Sequence, residues 1–196
     1  SLHDALPILS LNFAAQINGQ PFACGQRYDG VGTTRSSITP SDFRMYVSEV
    51  KLLRQDGSAV PVQLAQDGIW QHQNVALIDF ENGTGPCRNG TTATNTAVRG
   101  QVPAGNYVGV ELTVGVPFAQ NHQDPTVAPA PLNSTAMFWN WQGGYKFIKF
   151  DKCVVKRGDD NFDLIFPGAK FNKVEHTWTF PDGEQLLLRH MKTQDD

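Results

Sequence analysis

Cysteine is scarce in this chain: three occur in 196 residues, and Cys24, Cys87 and Cys153 never approach the C-x-x-C spacing of a zinc knuckle or a thioredoxin-type redox pair. Positive charge is scarce too. The 16 Lys and Arg residues are scattered and outnumbered by 19 acidic ones, for a net charge of -3, which gives no electrostatic footprint for nucleic acid or anionic lipid. No apolar run approaches the roughly 20 residues that a membrane-spanning helix needs, so no membrane span is expected. The G-x-S-x-G elbow is missing, as are the phosphate-cradling G-x-x-x-x-G-K-[ST] and G-x-G-x-x-G loops, which removes serine hydrolases and nucleotide enzymes. Internal repeats and low-complexity tracts are also absent.

What the chain does have is strand pattern. At this length one domain with a sizeable core is the default. DFRMYVSEVKLL alternates through Phe43, Met45 and Val47, slips once, and resumes at Val50 and Leu52. The QDGSA turn, with Asp56-Gly57 suited to positive φ, then leads into VPVQL and predicts a hairpin. A further strand is expected over IWQHQNVALIDF, followed by the polar loop ENGTGPCRNGTTATN. YVGVELTV gives the clearest alternation, with Tyr107, Gly109, Glu111 and Thr113 set against Val108, Val110, Leu112 and Val114. FAQNHQDPTVAPAPLNST carries Pro125, Pro129 and Pro131 and is expected to be an irregular loop, after which MFWNWQ reads as a short helix or turn leading into the strand YKFIKFD. Several short strand-like pieces and a Pro181-Asp182-Gly183 turn follow. The sum is an all-β, two-sheet β-sandwich-like single domain with long loops and little helix. Residues 1–10, which include His3, resemble a cloning or assembly scar and are expected to lie outside the domain, with no basic segment or cleavage site of a signal peptide.

Chemistry can be sought in three places. The simplest cysteine count is one disulfide plus one leftover, and Cys24 and Cys87 both lie in Gly- and Pro-marked loops that suit a staple in an oxidising compartment; a buried free thiol is the alternative for each. The carboxylates Asp79, Glu81 and Asp124 offer a structural calcium site, against solvated or structural roles for the same groups; Asp159 and Asp160 form a second acidic pair. Trp70 and His72 stand two apart, so an extended segment over 69–78 turns indole and imidazole to one face, and His122 follows in NHQDP. Two neutral imidazoles with few carboxylates suit copper in its reduced state. The bland alternative is a half-buried Trp beside a surface His. Tryptophan itself donates poorly, because its ring nitrogen holds a proton.

PFACGQRYDGVG, SDFRMYVSEVKLL, DGIWQHQNVALIDFENGTGPCRNGT, VPAGNYVGVELTVGVP, NHQDPTVAPAPLN and MFWNWQGGYKF, in this order across residues 11 to 151, resemble the MbnP-like copper-binding proteins of the CorA/MopE type. The resemblance implies a periplasmic, cell-surface or secreted protein that is not an enzyme and holds one copper ion, Cu(I), for acquisition, storage or delivery. It implies that Trp70 is oxidised to kynurenine and that this group, His72 and His122 are the ligands. It also implies a di-haem peroxidase of the MauG type as the maturation partner. Cys24 with Cys87 remains the preferred disulfide. Residues 152–196 depart from the family, which continues with two further cysteines where this chain has Cys153; they are read as a divergent segment packing on the same domain, with Cys153 free. Two rivals stay open. One is a carbohydrate- or protein-binding β-sandwich module with Trp70, Trp139 and Trp141 as a stacking platform. The other is an extracellular domain stabilised by calcium at Asp79, Glu81 and Asp124.

Overall fold

The computed structural model describes residues 6–155, 170–172, 177–179 and 185–187. His3, the Asp159-Asp160 pair and the Pro181-Asp182-Gly183 turn lie outside the described residues. The chain begins with β1 (Ile8–Asn12) and a small hairpin of β2 (Gln16–Ile17) and β3 (Gln20–Pro21). β4 (Tyr28–Val31) then leads into β5 (Ser36–Leu53), an 18-residue strand that is the spine of the molecule. After it come β6 (Ala59–Pro61), β7 (Gln63–Leu64), β8 (Gln71–His72), β9 (Val75–Asp79), β10 (Ala97–Gln101) and β11 (Gly109–Val114). A single-turn helix α1 (Phe118–Asn121) precedes β12 (Phe138–Asn140), β13 (Gly144–Tyr145) and β14 (Ile148–Val155). β15 (Lys170–Asn172), β16 (Thr177–Thr179) and β17 (Gln185–Leu187) pair into a three-stranded sheet of their own.

All pairing is antiparallel, and β5 organises it. Met45 faces Ile148 of β14 and Ile78 of β9, while Lys51 faces Glu111 of β11 and Pro61 of β6, so β5 is flanked on both sides along its length. β8 adds outside β9 through Gln71↔Ala76 and His72↔Val75. A second sheet runs in the order β1-β10-β7.

Because successive strand side chains point to opposite faces, this large sheet has two cores. On one face Val47, Val50, Leu52, Ala76 and Ile78 pack against Leu64 and Val98 of the second sheet, with Leu9 and Leu11 alongside, which makes the β-sandwich. On the other face Tyr46, Val75 and Leu77 meet Val116, Leu132, Met137 and Tyr145 from the segment after β11, with Trp70 packed against this cluster. The Pro-rich loop thus serves as a lid of fixed shape. The hydroxyl of Tyr46 donates to the Pro131 carbonyl at 2.8 Å, and that of Tyr145 donates to the Leu132 carbonyl.

The anticipated slip in β5 is a bulge at Glu49, which adopts φ +52 and donates its N–H to the Asn74 carbonyl at 3.1 Å. The β5–β6 hairpin forms as expected, with Gly57 at φ +82. Residues 8–10, expected to lie outside the domain, instead form the start of β1, pair with β10 and bring Leu9 onto the core. Three further local expectations change. IWQHQNVALIDF is not one strand but a tight hairpin, because Gln73 takes a left-handed φ of +53 and reverses the chain between β8 and β9. MFWNWQ passes through a 3-10 turn at Thr135–Met137 and then becomes β12, paired with β13. In the stretch expected to be irregular, FAQN closes α1 after Pro117. The strand expected over YVGVELTV forms as β11, but its burial does not alternate: the register shifts between Glu111 and Thr113, and Val108 and Val110 stay exposed, Val110 in an open groove with Leu9, Leu11, Leu52 and Tyr107.

Cys24 and Cys87 form a disulfide with their Cα atoms 5.9 Å apart, closing a sequence separation of 63. Cys87 ends a 3-10 turn, Gly85–Cys87, and is fully buried, so the polar loop is anchored at its centre. Cys153 lies on β14 opposite Thr39.

Candidate metal centre

Trp70 reaches its place through a turn that the dipeptide Asp67-Gly68 builds. The Asp67 Oδ1 atom accepts the N–H groups of Ile69, Trp70 and Gln71 at 2.9, 2.7 and 3.0 Å, and Gly68 supplies a φ of +72. Three donors on one carboxylate oxygen fix the backbone just before β8. Trp70 is itself outside the strand, yet its carbonyl accepts the Leu77 N–H at 2.9 Å, which continues the β8–β9 register by one residue.

The residue between Trp and His decides which way they point. Gln71 is buried and turned to the sandwich core, where its Nε2 donates to the carbonyls of Ala65 and Arg99 at 2.7 and 2.8 Å and its Oε1 accepts the Arg99 N–H at 2.7 Å. With Gln71 held on that face, Trp70 and His72 face the opposite one, the side covered by the loop after β11. Trp70 is half-buried there. The same is true of His72, whose ring makes no hydrogen bond among the described residues.

His122 follows α1 in that covering loop, exposed and stacked edge-on against Phe118 with ring centroids 5.4 Å apart. Its Nδ1 lies 2.8 Å from the Trp141 carbonyl oxygen. A carbonyl can only accept, so Nδ1 carries the proton and, in the neutral ring, Nε2 keeps its lone pair. This is the arrangement by which a metal-ligating imidazole is usually oriented. The preceding residue is anchored as well. Asn121 Oδ1 accepts the Tyr145 N–H at 2.9 Å, and Gly144, at φ +70, leaves the space Asn121 occupies: a Cβ there would sit 2.4 Å from Asn121 Nδ2.

The two histidine-bearing segments are joined directly. Gln120 Nε2 donates to Gln73 Oε1 at 2.8 Å, tying the residue two before His122 to the residue just after His72. Gln73, Gln120, Asp67 and the Trp141 carbonyl were not singled out from the sequence. Only Asp67-Gly68 left a readable signal there, as a turn dipeptide; an amide pair between distant segments leaves none.

The other candidates are dispersed. Asp79 and Glu81 are buried together, but Glu81 is committed to the N–H groups of Gly83 and Thr91, both at 2.9 Å, and Asp79 accepts the Glu81 N–H at 3.0 Å. Desolvation, then the Glu81 carboxylate, pushes the Asp79 carboxyl up to about 7. Asp124 instead caps its own turn through the N–H and Oγ1 of Thr126, which hold its pKa below the usual range. Among the described residues no three His, Cys, Asp or Glu side chains gather to hold an ion. Trp139 and Trp141 are 69% and 73% exposed on the β12–β13 hairpin, with the Lys146 ammonium 4.5 Å from the Trp139 ring centre. Trp70, packed in the core beneath the loop, is not part of an exposed platform with them.

The MbnP family profile matches residues 7–185, which extends beyond the 11–151 stretch of the sequence resemblance at both ends. Among solved structures, MbnP from Methylosinus trichosporium matches with a TM-score of 0.65 and 28% identity, over 78% of this chain and 56% of that one. This chain therefore corresponds to little more than half of that protein. No curated protein matches. With the profile spanning most of its length, the chain belongs to the MbnP family.

Proposed function

We propose that this protein binds one copper ion, as Cu(I), through His72, His122 and a kynurenine formed from Trp70. The observation that carries the reading is the pinned tautomer of His122, which leaves the Nε2 lone pair available on a loop tied by a side-chain hydrogen bond to the turn after His72. Neutral imidazoles in carboxylate-poor surroundings suit Cu(I) and disfavour calcium or magnesium. The residues fit the group only in part as they stand, since an intact indole is not a donor. Oxidative opening of the indole, with its C2 carbon leaving as formate, would supply an aromatic amine and one ketone oxygen at the same position.

That conversion is an oxidation, so the reading includes an oxidising partner, a di-haem peroxidase of the MauG type, and a place outside the cytoplasm, in the periplasm, at the cell surface or secreted. The disulfide agrees with an oxidising compartment. Among the described residues no helix is long and apolar enough to cross a membrane. The role is copper acquisition, storage or delivery, not catalysis. Peptide mass spectrometry after co-expression with such a peroxidase should show Trp70 converted to kynurenine, and His72→Ala and His122→Ala should each abolish tight copper binding. An unmodified Trp70 in a protein that retains no copper would overturn the reading.

The exposure of Trp139 and Trp141 favours one rival, a module that stacks sugars or a protein partner on these rings. That module would lose its ligand on Trp139→Ala and would be indifferent to copper.

A further inference from the structure

β8 is held at Gln71 by its buried amide, but its ladder is short. Among the described residues it pairs with β9 alone, by two residue pairs, and is followed by Gln73 in the left-handed region. Edge strands this short fray readily, so the ladder by itself leaves the position of the His72 ring loosely defined. Side-chain amides take over where the ladder stops. Gln66 stands in for a neighbouring strand: its Oε1 accepts the Gln73 N–H at 2.6 Å and its Nε2 donates to the Gln73 carbonyl at 3.0 Å. The Gln73 side chain then accepts from Gln120 at 2.8 Å. Gln120 is buried, so leaving its amide without a partner is costly, while the acceptor Gln73 lies at the exposed turn. On the far side of Gln120, Asn121 is locked to Tyr145 and His122 to Trp141.

We propose that Gln73 and Gln120 are positioning residues, whose amide-to-amide hydrogen bond sets the separation of the His72 and His122 rings before metal arrives. This rests on the copper reading above. Bonds from imidazole to metal of about 2 Å leave little tolerance in the spacing of the two rings. A site lacking the clamp would first have to order the β8–β9 turn against the loop, and that ordering would lower its affinity. Neither glutamine is a proposed ligand; Gln73 acts through the adjacent His72, and Gln120 through His122 two residues on.

The test uses the full chain, with Cu(I) titrated against a chromogenic chelator, and three variants. Gln120→Leu and Gln73→Ala break the bond, whereas Gln73→Glu keeps an acceptor for Gln120 Nε2. Both breaking variants should bind Cu(I) about 10- to 100-fold more weakly, the range seen when partners that orient metal ligands are removed, and Gln73→Glu should bind like the wild type. In the metal-free protein, amide exchange at residues 71–74 should quicken in the breaking variants while Tyr46 and Val47 in β5 stay protected, a readout that a general loss of stability would not give. Quickened exchange with unchanged Cu(I) affinity would overturn the proposal, as would wild-type exchange in both breaking variants. If His72→Ala and His122→Ala leave Cu(I) binding intact, it is the copper reading that fails, and the exchange result still reports on the clamp.

Discussion

The Nδ1 nitrogen of His122 donates to the main-chain carbonyl of Trp141 across 2.8 Å. The bond fixes both the tautomer and the plane of the imidazole, and it does so from a hairpin that is itself seated on Asn121 through the Tyr145 N–H. The loop that carries His122 is therefore held at two adjacent residues, by different atoms of one hairpin.

Gly144 is where that seating is least tolerant of change. At φ +70, with the Asn121 carbonyl oxygen 2.5 Å from where a Cβ would stand, Gly144→Ala combines backbone strain with a main-chain clash. We expect a loss of about 2–3 kcal/mol in urea unfolding, a displaced His122 ring signal by NMR and weaker copper retention. Wild-type values in all three would show that the hairpin does not position His122.

Asp67→Ala removes the acceptor shared by the N–H groups of Ile69, Trp70 and Gln71. The expected cost is about 1–2 kcal/mol, as for loss of a capping side chain. Amide exchange should accelerate at residues 69–71 while β5 is unaffected. Protection persisting at those three amides would mean that the turn is held by something other than Asp67.

The buried Asp79 carboxyl makes stability depend on pH in a direction opposite to that of a salt-bridged aspartate. Its folded pKa is raised to about 7 from the 3.8 of a free aspartate, so between these values unfolding releases a proton that the folded chain keeps. Stability falls as pH rises through that window, and the loss is complete above it. Asp79→Asn, which keeps an acceptor for the Glu81 N–H, should exceed the wild type by about 2 kcal/mol at pH 8 and converge with it near pH 4. Parallel urea titrations at the two pH values decide this; a constant difference would rule Asp79 out as the source.

Removal of the Cys24–Cys87 disulfide, by the double change to serine, frees a chain separation of 63 residues. The loop-entropy model puts the cost at about 4 kcal/mol. The midpoint of urea unfolding should fall accordingly, with faster exchange around the Gly85–Cys87 turn. A shift under about 1 kcal/mol would indicate that the reduced, unfolded chain retains structure in this region.

Much of the architecture was legible because strand periodicity is a local property. The alternation in DFRMYVSEVKLL, its single slip and the Asp56-Gly57 turn all read directly onto β5, the Glu49 bulge and the β5–β6 hairpin. The IWQHQNVALIDF hairpin was not legible, since Gln73 and Asn74 carry no Gly or Pro signal and the reversal depends on Gln66 pairing with the Gln73 backbone from seven residues away. Nor did the valine pattern of β11 show that Val108 and Val110 would stay exposed, because burial depends on what packs opposite.

At the site, the order of residues alone named the chemistry on offer: two imidazoles, and an indole two residues before one of them. It also determined that Trp70 and His72 share a face, because i and i+2 in extended chain always do. Which face that is follows from the fold, which draws Gln71 into the sandwich core and also supplies the Gln73–Gln120 bond and the Trp141 carbonyl that pins His122. The difference is one of range. Side-chain direction along a strand is set by adjacent residues, whereas the meeting of segments 47 residues apart needs the folded sheet and loop that bring the buried Gln120 onto the exposed Gln73.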